Sequence, residues 1–274
     1  MALVVEHWVR PGSAGERGLF DLYVGVLLGG IVAWAIPAFI AEMQINWGEA
    51  RPIRRLLKPF HDNEKPTLIV TAPLYPTSLT AFEKSVPAVL RETVQVIPHH
   101  GVPWVLAESD AQALAYVMAL LAAAGRTKNL SIVRDDDSTV LADANLVCIG
   151  SPKSNLKAKL VNDSFKGLPL RFAWEDDRQV IRSRDGTSVW RSDDECDYAV
   201  LVKVPNEEDY TKSVLFLAGI SHRGTAGAGY YLWKHWRDLE ASTKGKPFGM
   251  VLKVRRDDYQ CVEPETAPFF VEQS

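Results

Sequence analysis

Residues 22–41, "LYVGVLLGGIVAWAIPAFIA", carry no charged side chain. Twenty residues at about 1.5 Å of helical rise span about 30 Å, the thickness of a bilayer's hydrocarbon core. The run therefore predicts one transmembrane helix, placed at 19–43. A cleaved signal peptide is the alternative, with Ala33, Trp34 and Ala35 imitating a cleavage site. The anchor is favoured because the run is longer than a signal core and its upstream flank mixes both charges. Arg51, Arg54, Arg55 and Lys58 follow the run, whereas only Arg10 and Arg17 precede it. The positive-inside rule then predicts a single-pass protein of the cell membrane, N-terminus outside and C-terminal domain cytoplasmic, with the lipid bilayer as a partner. Gly25, Gly29 and Ala33 share one face of that helix, which would let two copies associate as a homo-oligomer. The stretch 46–61, "NWGEARPIRRLLKPFH", interleaves basic residues with Ile53, Leu56, Leu57 and Phe60. It reads either as an interfacial segment on anionic headgroups or as a plain linker.

Beyond Pro66 the pattern changes to short apolar runs alternating with helical periodicity, the signature of α/β architecture. "TLIVTAP" at 67–73 predicts a strand and 78–92 a helix broken at Pro87, with "VQVIP" and "PWVLA" as further strands. "ESDAQALAYVMALLAAAG" predicts a helix capped by Ser109 or Asp110 and ended by Gly125. "NLSIVRD", "ANLVCIG", "DYAVLVKVP", "SVLFLAG" and "FGMVLKVRRD" predict strands, and "LPLRFAWEDDRQVIRSRDG" an antiparallel pair. Helices are expected near 156–161 and from about 225 to 240. The predicted fold is a Rossmann-like three-layer α/β domain with a mostly parallel central sheet plus an antiparallel hairpin, preceded by one transmembrane helix. The layout is a short N-terminal segment (1–18), the membrane helix (19–43), a basic juxtamembrane segment (44–65), a cytosolic domain (66–262) and a C-terminal tail (263–274).

Composition narrows this modestly. Hydrophobic residues are 47% and charged residues 24% of the 274, ordinary for a folded chain. A formal net charge of −3 supplies no general attraction to nucleic acid, so no nucleic-acid partner is expected. Cys148, Cys196 and Cys261 are odd in number and widely spaced, which suggests neither a disulfide framework nor a zinc site.

The chemistry gathers in two loops with one grammar of strand, glycine loop and helix. The first runs from Gly150 through Ser151, Lys153, Ser154 and Asn155; the second from Gly219 through Ser221, His222, Arg223, Gly224 and Thr225. Glycine permits close backbone approach, hydroxyl and amide groups offer hydrogen bonds, and helix N-termini with Lys153 and Arg223 attract anions. Both loops are expected at the carboxyl ends of central strands, where ligands of open α/β sheets bind. Neither matches the P-loop or the dinucleotide fingerprint.

Gly150, Pro152 and Asn155, then Asp197 and Tyr198, then Ala218, Gly219, Gly224 and Thr225 resemble SLOG-type Rossmannoid domains over residues 130–254. They also resemble a group of prokaryotic domains that pair a "GGP" plus Asn loop with a "DYGL" strand and an "AG…GT" loop; Ser151 stands at the second glycine. The resemblance implies recognition of a nucleotide or a nucleotide-derived signal.

Groups able to do chemistry near the loops are Ser221, His222, Cys148 and Asp197, with no catalytic set assigned. His99 and His100 lack a spaced third metal ligand, and the acidic clusters "RDDDS", "WEDDR" and "SDDEC" lack calcium-loop spacing, so no metal is expected. Three readings follow. The leading one is a membrane-anchored module that senses a small phosphorylated ligand, a nucleotide or cyclic nucleotide, in signalling or defence, with no certain cofactor. The others are an enzyme acting on a nucleotide or NAD, and a scaffold for a protein partner.

Overall fold

The structure, a computed structural model, describes residues 50–72, 106–135 and 144–271. In chain order its elements are α1 (Ala50–Leu56), β1 (Thr67–Thr71), α2 (Glu108–Ala123), β2 (Leu130–Arg134), β3 (Asn145–Ile149), α3 (Leu156–Ser164), β4 (Leu170–Glu175), β5 (Arg178–Ser183), β6 (Val189–Trp190), β7 (Cys196–Pro205), β8 (Ser213–Gly219), α4 (His222–Lys234), α5 (Trp236–Thr243), β9 (Phe248–Arg255), β10 (Val262–Pro264) and β11 (Phe269–Phe270).

The main sheet has the order β10-β9-β7-β8-β3-β1-β2, with β11 also pairing with β9. Strands β2, β1, β3 and β8 are mutually parallel. Strand β7 is antiparallel to both β8 and β9, and β10 and β11 are antiparallel to β9. The sheet is therefore mixed, which corrects the mostly parallel, Rossmann-like expectation. A strand buried on both faces, such as β7 or β8, reads alike in either direction, so hydrophobic pattern reports depth and not polarity. The connection decides. Residues 206–212 between β7 and β8 are too few for a parallel crossover, which takes a dozen or more.

Helices α1, α2, α4 and α5 cover one face of the sheet, packing Ile53, Leu121, Leu232 and Leu239 over Ile69, Val147, Leu217 and Leu252. The other face is covered by α3 and the small sheet β4-β5-β6, through Val161, Phe165, Phe172 and Ile181 on Val70, Leu146, Val202 and Phe216. Helices α2 and α4 cross closely: a Cβ on Gly229 would lie 2.6 Å from the Cα of Ala113. The hairpin β4-β5 turns at Asp176 and Asp177, both at positive φ (47° and 60°), a geometry suited to a tight turn between twisted strands.

The membrane reading is corrected as well. Among the described residues no helix is long and apolar enough to cross a membrane. The longest of them, α2, has 16 residues and so spans only about 24 Å. The single-pass topology, the bilayer partner and the cell-membrane location with a cytoplasmic domain are left without structural support. The segment at 22–41 that motivated them, with Gly25, Gly29 and Ala33, lies outside the described residues, as do His99, His100, the helix at 78–92 and the strand "VQVIP". The stretch expected to rest on headgroups has a different role: Ile53, Leu56, Leu57 and Phe60 are at most 2% exposed, inside the domain core. Each such burial is worth about 1.5–3 kcal/mol, which fastens α1 to the domain.

Candidate functional site

The order β2-β1-β3-β8 contains a reversal: the chain leaves β1 toward β2 and then crosses to β3 on β1's other side. The carboxyl ends of β1 and β3 thus flank the crevice where ligands of open α/β sheets bind. Three helices, α2, α3 and α4, begin at this edge. A helix start attracts anions through unpaired N–H groups and the macrodipole. Here each start already has a carboxylate of its own.

At α4 that carboxylate is Asp197, fully buried at the start of β7. Because β7 is antiparallel to β8, with Ala199 opposite Gly219, Asp197 arrives at the same edge as the β8 loop. Its Oδ2 accepts from Gly224 N (2.7 Å), Ser221 N (3.1 Å) and Ser221 Oγ (2.7 Å). Its Oδ1 accepts from Tyr198 N (2.9 Å) and from the Ser192 hydroxyl. With about four lone-pair sites in use, Asp197 has none left for a substrate proton. The glycines follow from this packing. A Cβ on Gly224 would lie 2.7 Å from Asp197 Oδ2, and one on Gly219 2.5 Å from the Gly224 Cα. Thr225 closes the turn, its Oγ1 accepting from Gly219 N at 3.1 Å.

At α3, Asn155 is the N-cap: its side chain accepts from Ala158 N (2.9 Å) and donates to Ile149 O (2.9 Å) and Val70 O (3.3 Å). It thereby ties together the ends of β3 and β1. Asp135, buried at the end of β2, accepts from Leu156 N at 2.7 Å. The Ser151 carbonyl accepts from the backbone N–H groups of Ser154 and Asn155, which shapes the loop.

At α2 the N-cap is Ala107, not Ser109 or Asp110, and Asp110 stands in the first turn. Asp110 is 7% exposed and pairs with no cation among the described residues. Burial pushes its carboxyl up to about 6, opposed in part by a hydrogen bond from Ser109. It faces Gly150, whose φ is +104° and whose Cβ, if present, would lie 3.4 Å from Asp110 Oδ2. Alternation along β1 puts Thr71 on the side of the sheet that Ile69 shares with α2. The Thr71 hydroxyl is buried with no hydrogen-bond partner among the described residues.

The sequence-derived site residues thus divide. Asn155, Gly219, Ser221, Gly224 and Thr225 have their polar or steric capacity engaged within the fold. Lys153, Ser154 and His222 are exposed and Arg223 is half-buried. Lys153, His222 and Arg223 have no polar partner among the described residues. Lys153 stands on the loop leaving β3, and His222 and Arg223 open α4 just after β8; β3 and β8 are adjacent strands about 4.8 Å apart. Cys148 lies elsewhere, in the core under α3, its thiol pushed up to about 12 by burial, so it is no nucleophile. No group of three or more His, Cys, Asp or Glu among the described residues is placed to hold a metal ion.

Sequence reasoning missed Asp110 and Thr71. Both sit in segments whose helix and strand character is plain; what is invisible in the sequence is that folding buries Asp110 without a counter-charge, and Thr71 without a hydrogen-bond partner, among the described residues. The chain matches no protein-family model, and no curated protein matches it.

Proposed function

We propose that this protein is a binding module for a small phosphorylated ligand of the nucleotide class, seated at the carboxyl edge of β1, β3 and β8. The observation that carries the reading is a polarity within that edge: the cations Lys153 and Arg223, without polar partners among the described residues, and the buried carboxyl of Asp110 against Gly150, without a cation among the described residues. Since Asp135 and Asp197 occupy the starts of α3 and α4, and Asp110 stands in the first turn of α2, the ligand's phosphate goes to the rim cations. Its sugar hydroxyls or base amine go to the carboxyl of Asp110 and the Thr71 hydroxyl, which accept and donate hydrogen bonds. Gly150 bears no side chain where it faces Asp110. The resemblance to nucleotide-sensing Rossmannoid loops points the same way.

Calorimetric titration with a panel of nucleotides tests this. One member binds, and the double variant Lys153→Ala, Arg223→Ala weakens it by tenfold or more. No heat from any member removes the reading. Turnover is the second reading, and one observation favours it: a carboxyl raised to about 6 is suited to proton transfer near neutral pH. Product formed from the bound nucleotide, and abolished in Asp110→Asn, would select it over simple binding.

A further inference from the structure

The opposite end of the parallel block holds a cavity of about 430 Å³, within the size range of small-molecule sites. It lies between the α1–β1 connection and the end of α2 at Ala124 and Gly125. Its walls are tied together: Asn63 donates to Gly125 O (3.0 Å) and accepts from Thr127 N (2.9 Å) and Lys128 N (3.1 Å). Arg54, Lys58, His61 and Lys65 line it, against the single carboxylate of Asp62. Behind Lys65 lies Arg126, only 4% exposed, one terminal nitrogen donating to Lys65 O at 2.6 Å. Among the described residues its Nε and Nη1 are buried without partners, as is Nδ1 of His61. Among the described residues none of Arg54, Lys58, Lys65 and Arg126 forms an ion pair.

The negative end of α2 opposes an anion here, but the two nearest carbonyls are already engaged, Ala124 O by Arg54 Nε at 2.8 Å and Gly125 O by Asn63. Burial holds the His61 imidazole below its ordinary value; Arg54 and Lys58 push it the same way, while a backbone hydrogen bond at Leu57 and the charge of Asp62 oppose them. Arg126 itself is outside the cavity lining: its Nη2 donates to Lys65 O and also to Asn129 O, and Asp62 offsets its charge in part, so the anion is left to the cations that line the cavity.

We infer that this cavity is a second site, for the phosphate group of a soluble small molecule, separate from the carboxyl edge. Phosphate matches the lining because its several oxygens can accept at once from the Lys58 ammonium and from the guanidinium nitrogens of Arg54 that Ala124 O does not take; Lys65 Nζ already donates to Thr211 O. The inference does not depend on the reading of the carboxyl edge.

The test is titration of the full chain with inorganic pyrophosphate at moderate salt, in wild type, Lys58→Ala, Arg54→Lys and the Lys153→Ala, Arg223→Ala double variant. The Lys58 side chain is exposed and makes no hydrogen bond or ion pair among the described residues, so its removal leaves folding intact. Saturable heat that weakens tenfold or more in Lys58→Ala, and persists in the double variant, is the expected result. Absence of heat in wild type overturns the inference, as does heat that survives Lys58→Ala and Arg54→Lys but disappears in the double variant. A lipid headgroup carries the same phosphate chemistry. Lys58-dependent capture on phosphatidic acid vesicles without pyrophosphate binding would overturn the assignment to a soluble ligand.

Discussion

The two ends of the parallel strands solve opposite electrostatic problems. At the carboxyl edge, where helix starts would ordinarily gather an anion, Asp135 and Asp197 accept from the free N–H groups of α3 and α4. The deep charge there is negative and the cations stay on the rim. At the amino end, beside the negative terminus of α2, the cavity wall is cationic, with Arg126 buried behind it. The comparison teaches that a strand, glycine loop and helix do not by themselves make an anion site. What matters is whether the loop's donors are spent, and on what.

The comparison breaks most readily at Asp197. Asp197→Ala strands several buried N–H groups at the start of α4, each worth about 1–3 kcal/mol. A loss of about 4 kcal/mol in urea unfolding is expected. A loss under about 1 kcal/mol would show that the α4 start does not depend on the internal carboxylate and remains available to an outside anion.

Asp110 gives the next largest effect, with the opposite sign. Its carboxyl is raised by burial, so between roughly pH 4 and pH 6 the folded state binds more protons than the unfolded one, and stability falls as pH rises through that window. Asp110→Asn removes this fall, so the variant is more stable than wild type by about 2–3 kcal/mol at pH 7 and nearly equal to it below pH 4. Unfolding curves at both pH values check it; equal stability at both would place Asp110 in water or beside a cation. A residue that costs stability at neutral pH while facing the crevice is the pattern expected of a functional group.

The rim is the mildest case. Lys153→Ala with Arg223→Ala removes groups that contact no polar partner, and unfolding should change by under about 0.5 kcal/mol while nucleotide binding drops. A large stability loss would make the rim structural.

Much of this arrangement was legible beforehand. Strands β1, β3, β7, β8 and β9 and helix α2 lie where alternation and apolar runs put them, and Gly125 ends α2 at φ +88°. The two loops do leave adjacent strands at one edge. The direction of β7 was not read, although the short 206–212 connection carried it. Two other features rest on contacts distant in sequence, which no local pattern encodes. Ile53 and Phe60 of the basic stretch pack into the core and not against lipid. Asp197, a candidate for chemistry, is the peg that holds the β8 loop. The helix expected over about 225–240 divides at His235, whose φ of −109° and ψ of 21° separate α4 from α5.

Photo-crosslinking of the full chain with an azido-nucleotide, followed by mass mapping of the labelled peptides, tests the central claim most directly. The account predicts labels on the peptides holding residues 150–155 and 221–223, suppressed by unlabelled nucleotide and lost in the Lys153→Ala, Arg223→Ala variant. Labels confined to residues 54–65, or none that unlabelled nucleotide suppresses, would contradict a nucleotide site at the carboxyl edge.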